Sequence, residues 1–236
     1  MRCKIADLIA EIPEGGGLAS RCREYRYNGN DAADVVVDER LYRFGRYSEQ
    51  LSADDVAYLE SGFQFYMELL KRDGFYLHAS AVELDGRAYL FSGPSGMGKS
   101  THTRLWQQVF GTDAQVFNDD KPALRLLDGR WYAYGTPWCG KDGINQNKKV
   151  PLAGICFLKQ APENRIRKLT PREALSRIMA QTTHRMRCAE NLDLLLGGLE
   201  RIVQMIPIYE LENRPEPEAA CLSYGTMRRG AEEMGL

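Results

Sequence analysis

Histidine is scarce in this 236-residue chain. The three, His78, His102 and His184, are spread too widely to build a histidine-rich metal site. Cysteine is commoner but never closely paired: Cys3, Cys22, Cys139, Cys156, Cys188 and Cys221 contain no CxxC, which argues against a zinc knuckle and a disulfide framework. Reduced, structural thiols are expected, with Cys139 alone in a polar, Gly-rich segment open to a ligand. No apolar run approaches the about 18 residues of a membrane span, and the opening MRCKIADLIAEIPEGG is too short in apolar residues for a signal peptide. The expectation is a soluble, cytoplasmic protein with no membrane partner. An excess of charge is also missing. Lys and Arg number 31 against 32 Asp and Glu, leaving a formal net charge of -1 and no general field to attract a polyanion, so no nucleic-acid partner is expected. There is no internal repeat or low-complexity tract, and 26.7 kDa suffices for one good core with a small appended element.

What is present is concentrated in one run. Gly93-Pro94-Ser95-Gly96-Met97-Gly98-Lys99-Ser100 fills every position of a Walker A phosphate loop, with Thr101 continuing into the next element. Three glycines let consecutive N–H groups curl around phosphates, Lys99 supplies a mobile positive charge, and the Ser100 hydroxyl can ligate magnesium. The flanks agree. Residues 87–92 read as a strand, and 99–110 place Leu105, Trp106, Val109 and Phe110 on a helical stripe, so a helix N-terminus points at the phosphates. A nucleoside triphosphate is the implied ligand.

Other candidates are read around that loop. Asp119 and Asp120 stand side by side at a predicted strand end, where one carboxylate can hold magnesium and the other can act as base to an attacking hydroxyl. His78 lies on the strand preceding the loop, placed either to approach the γ-phosphate, to hydrogen-bond Asp119, or simply to fill the core. Lys121 is either a phosphate ligand or a surface lysine. The polar loop 135–147 (GTPWCGKDGINQN) suits either an element covering a phosphate or acceptor, or a surface Ω-loop. Within it Trp138 either stacks on a nucleotide or packs the loop. Arg104 is a weak phosphate candidate, His102 a phosphate-loop helix side chain, and His184 a surface residue.

Along the chain, residues 4–12, 35–39 and 41–46 read as strands, and 53–71 as an amphipathic helix opened by a Ser52/Asp55 capping box. Asp85-Gly86 and Asp128-Gly129 each mark a hairpin, joining 75–84 to 87–92 and PALRLL to RWYAYG. A buried strand follows over 151–159, then a helix from Thr170-Pro171 to about Gln181 and a leucine-rich helix over 190–206 interrupted by Gly197-Gly198. The tail alternates around Tyr209 and Leu211 before becoming charged, and its end is expected to fray. This divides the chain into a small N-terminal α+β element, 1–72, and a phosphate-loop catalytic domain, 73–236.

Together LHASAV, SGPSGMGKSTHTRLW, NDDKP and YGTPWCGK resemble the HPr kinase/phosphorylase superfamily, which shares its core with phosphoenolpyruvate carboxykinases; the likeness is best over 75–160 and is nearest to the compact HPr-kinase-related proteins. It implies an α/β fold with a mixed sheet, use of ATP and Mg2+, and a plausible homo-oligomer. It also implies site roles: His78 for the family histidine, Lys99 and Ser100 in the phosphate loop, Asp119 as catalytic base, and Asp120 beside it at the metal. The chain departs from true HPr kinases in its shorter N-terminal part and in lacking their Glu-Ile-Arg-Gly signature. The implied function is a kinase moving the γ-phosphate to a hydroxyl of a peptide, small protein or small metabolite. An ATP-binding regulatory or scaffold protein and an acceptor-independent NTPase remain the alternatives.

Overall fold

The computed structural model describes residues 1–14, 16–42, 51–182 and 189–236. A small three-stranded sheet holds β1 (Arg2–Ile5), β2 (Leu8–Glu11) and β3 (Val35–Val36). The first two form a hairpin through Ala6 and Asp7, both at positive φ. Helix α1 (Gly16–Arg21) and α2 (Ala53–Leu70) follow, α2 with the expected capping box in place, a device worth about 1 kcal/mol. Of the expected strand over 41–46, residue 41 closes a short 3-10 turn and 43–46 lie outside the described residues, as does His184.

A nine-stranded mixed sheet forms the centre. Its strands are β4 (Gly74–Tyr76), β5 (Ala79–Leu84), β6 (Arg87–Ser92), β7 (Gln115–Asp120), β8 (Ala123–Leu127), β9 (Arg130–Tyr134), β10 (Lys149–Gln160), β11 (Arg165–Lys168) and β12 (Ile208–Asn213). Both Asp-Gly hairpins are present, with Asp85, Gly86, Asp128 and Gly129 all at positive φ. The single strand expected over 75–84 is instead two. Residues 74–76 pair with β8 while 79–84 pair with β6 and β7, because the Leu77 and His78 amides leave the ladder for the Pro122 and Gln181 carbonyls. Strand β10 binds the sheet together, antiparallel to β9 at its start and parallel to β6 and β12 further on.

Alternation along β6 and β10 explains the layers. Ala88, Leu90, Ile155 and Phe157 face one core with α4 (Pro171–Ala180) and α5 (Ala189–Met205). Tyr89, Phe91, Cys156 and Leu158 face the other, with α3 (Lys99–Phe110) and α6 (Pro217–Glu233). A third core joins the small sheet, α2 and the β8–β9 hairpin. Gly197 and Gly198 lie inside α5 and do not break it. The expected fraying tail is a 17-residue helix with Pro217 in its first turn. Ala219, Ala220, Ser223, Met227, Gly230 and Ala231 are its buried face, a helical spacing of small residues that lets it lie against α3 and β10.

The α3–α6 contact encloses His102. Its Nε2 is 3.1 Å from Ser223 Oγ, to which Trp106 Nε1 donates at 3.0 Å, while Nδ1 is buried with no hydrogen-bond partner among the described residues. Burial lowers its pKa to about 4. The unfolded chain, with an ordinary imidazole near pH 6.5, therefore takes up this proton first as pH falls. Stability from this site is fully present above about pH 6.5 and is lost between there and about pH 4, a swing of about 3 kcal/mol. Urea titrations at stepped pH are expected to show that loss in the parent chain and a flatter profile in His102→Gln. Equal slopes would contradict it.

Candidate functional site

Strand register brings the site together. Ala79 in β5 lies opposite Ser92 at the end of β6 and opposite Asp120 at the end of β7, while Ser80 lies opposite Asp119. His78, one residue earlier, is therefore carried to the point where β6 enters the glycine loop and β7 ends. Its carbonyl accepts from Ser92 Oγ at 2.9 Å.

The loop from Gly93 to Gly98 is shaped by glycine: φ is 151° at Gly93, 80° at Gly96 and 94° at Gly98, values that L side chains rarely adopt. Gly98 is the N-cap of α3 and no side chain caps it, so the free N–H groups of the first turn are left for an anion. Lys99, 9% exposed, folds back so that Nζ donates to the Gly93 and Pro94 carbonyls at 3.0 and 3.3 Å. Burial lowers its pKa, against the opposing pull of Asp120 and Asp119. Met97 turns away to pack on the Tyr89–Trp106 core.

The two aspartates have different partners. Asp119 is buried, and its Oδ2 accepts from Ser100 Oγ at 2.8 Å. Asp120 holds a positive φ of 110°, backbone strain on the order of 1–3 kcal/mol that is kept by its surroundings. Its Oδ1 lies 3.3 Å from His78 Nε2 and its Oδ2 2.8 Å from Lys121 Nζ. His78 thus faces Asp120 and not Asp119. The imidazole pKa is lowered, first by burial and then by the Lys99 charge, which favours the neutral ring. A neutral ring has one N–H. Its Nδ1 lies 3.1 Å from Gln181 Oε1, an oxygen that only accepts, so in this arrangement the neutral ring donates from Nδ1 to Gln181; donation from Nε2 to Asp120 belongs to the opposite tautomer, which needs the Gln181 amide turned over.

These groups share a cleft of about 530 Å3, a ligand-sized volume, lined by His78, Ser95, Gly96, Gly98 to Thr101, Asp119, Asp120 and Gly140 to Asp142. Its far wall is part of the 135–147 loop. Gly140, at φ 70°, approaches so closely that an added Cβ would stand 3.0 Å from the Asp120 Cβ. Arg104 reaches across to Asp142 at 2.9 Å, pairing with the loop rather than standing free for a phosphate. Lys121 is half-buried against Asp120. Trp138, 1% exposed, packs on Phe65 and Tyr66 with Nε1 donating to Ser61, so of its two expected roles the structure displays packing. Cys139 is fully buried, which corrects the expectation that a ligand can reach it.

No family profile matches the chain, and no curated protein matches it. Among solved structures 39 chains match. One is the HPr(Ser) kinase/phosphatase from Coxiella burnetii, 13% identical, covering 68% of this chain and 92% of that one, with a TM-score of 0.39. At that distance no residue's role and no activity is carried across. The mixed α/β architecture rests on the strands and helices described above.

No cluster of three or more His, Cys, Asp or Glu placed to hold a metal occurs among the described residues. A magnesium ion bound together with substrate phosphates and water would need only one or two protein carboxylates. Ser100 and Asp119, hydrogen-bonded to each other at the first turn of α3, would be the hydroxyl and carboxylate to hold it. Among the described residues no helix is long and apolar enough to cross a membrane. Sequence reasoning passed over Gln181, whose contact with His78 spans 103 residues and has no local signal. It also passed over Tyr58, whose hydroxyl accepts from the Gly140 N–H at 3.0 Å.

Proposed function

We propose that this protein is an ATP- and Mg2+-dependent kinase that moves the γ-phosphate to a hydroxyl. Its fold is of the kind found in the catalytic domains of HPr kinases and phosphoenolpyruvate carboxykinases, in a cytoplasmic protein whose catalytic part spans 73–236 beside a small N-terminal element. The observation that carries this is one cleft joining an uncapped glycine loop, a buried lysine and two adjacent carboxylates with different partners.

Loop N–H groups and Lys99 bind the phosphates, and Lys99 offsets charge building on the group in transfer. Ser100 and Asp119 would hold magnesium, which when bound neutralises the phosphate oxygens. The tasks first given to the two aspartates are better exchanged. Asp119 is tied to the Ser100 hydroxyl, whereas Asp120 opens to the cleft with its carboxylate plane held by His78 and Lys121. In this reading Asp120 accepts the acceptor hydroxyl's proton as the new O–P bond forms and the bond to the departing ADP breaks. Asp119 is the metal-side group, and His78 is a positioning residue for Asp120.

Incubation with γ-labelled ATP, magnesium and separated peptide and metabolite fractions tests the class. Label moving to an organic acceptor is the expected result. Label released only as inorganic phosphate would make the protein a hydrolase, and tight ATP binding without turnover would favour a regulatory role.

A further inference from the structure

Asp120 borders more than the phosphate cleft. A second cleft of about 380 Å3 meets the first at Asp120, Gly140 and Lys141, and is bordered elsewhere by α1, Leu51 and the start of α2. One wall is apolar, made by Leu18 and Leu59. Against it stands Arg21. Its guanidinium lies 4.6 Å from the centre of the Tyr58 ring and 3.9 Å from Cys139 Sγ, and its carbonyl accepts from Asn145 Nδ2 at 3.0 Å.

Arg21 is thus held on both backbone and side chain, yet among the described residues it makes no ion pair. Two acidic residues also border this cleft. Asp54 is exposed at its rim, and Asp55 is committed to Ser52, whose hydrogen bonds hold its pKa down with a smaller pull from Arg21. A stacked, half-buried arginine without a carboxylate partner is a preorganised fork for a carboxylate. By contrast, a third cleft at Asp120, beside Gln181 and Thr182, has most of its polar groups engaged. There His78 meets Gln181 and Asp120, Lys121 meets Asp120, and Thr182 donates to the Tyr76 carbonyl.

We infer that the cleft between α1, α2 and Asp120 is the acceptor site, and that it takes a small hydroxylated carboxylic acid with its carboxylate on Arg21, its carbon body on Leu18 and Leu59, and its hydroxyl toward Asp120. The volume suits a small molecule or a single residue rather than a protein surface. Only the transfer step rests on the kinase reading; binding of the acid does not.

The probes are glycerate, 3-hydroxybutyrate, free serine and 4-hydroxyphenyllactate, each beside its primary amide, with the full chain and MgADP in a calorimetric titration. At least one acid is expected to bind about tenfold or more tighter than its amide, and Arg21→Gln to remove that preference while Arg21→Lys restores part of it. With MgATP in place of MgADP, the same acid is expected to stimulate ADP release, and Arg21→Gln to raise its KM about tenfold with kcat much less affected. Acids and amides that bind alike, no binding by any acid, or binding indifferent to Arg21 would each overturn the inference. So would preferred transfer to a serine inside an end-blocked peptide, which would assign the site to a macromolecule. Arg21-dependent binding of an acid with no phosphoryl transfer would uphold this site and refute the kinase reading.

Discussion

Asp120→Asn is expected to lower phosphoryl transfer about a thousandfold while MgATP affinity changes by less than about threefold, the pattern of a lost general base. The substitution keeps the size of the side chain and keeps an oxygen for His78 or Lys121, so the loop and Gly140 need not move. What it removes is an acceptor for the hydroxyl proton. Asp119→Asn is expected to act differently. Its oxygen accepts from Ser100 at the start of α3, so its loss falls on magnesium and nucleotide, and the magnesium needed for half-maximal transfer rises. A rapid-quench single turnover on each variant, with nucleotide affinity measured separately, distinguishes the two. If Asp120→Asn retains strong transfer and Asp119→Asn loses it at saturating magnesium, Asp119 is the base.

Lys99→Met is expected to reduce ATP turnover about a hundredfold or more, since under the proposed function it removes the lysine of the glycine loop that meets phosphate charge. The same change is expected to leave the thermal midpoint unchanged or raised. Burial lowers the Lys99 pKa, so its charge is held in the fold against a desolvation cost that a methionine of similar length does not carry. Activity lost with stability kept is the mark of a group maintained for its ligand. A fall in midpoint as large as the fall in turnover would make Lys99 a structural residue.

Much of the fold was legible where physics is local. Asp85-Gly86 and Asp128-Gly129 need positive φ, Ser52 and Thr170 open helices through capping boxes, and Gly93, Gly96 and Gly98 meet a backbone path closed to other residues. Errors arose where a contact distant in sequence decides. Residues 75–84 alternate like one strand, yet Leu77 and His78 bond to Pro122 and Gln181, and the chain changes partners between them. The closing helix was hidden by its charge, although the small residues from Ala219 to Ala231 carried its spacing. Within the candidate site the residue types were readable and their pairings were not. Asp119 and Asp120 are equivalent as letters. They differ because successive strand residues point to opposite faces and Asp120 takes a left-handed turn at the strand end, which directs one to Ser100 and the other to His78.

The most direct test of the central claim is single-turnover transfer of the γ-phosphate to an acceptor across a magnesium titration, in the parent chain, Asp119→Asn and Asp120→Asn. Recovery of Asp119→Asn at high magnesium, with Asp120→Asn inactive throughout, is the result this account predicts. Recovery of Asp120→Asn instead, or transfer in the parent chain that needs neither carboxylate, would contradict it.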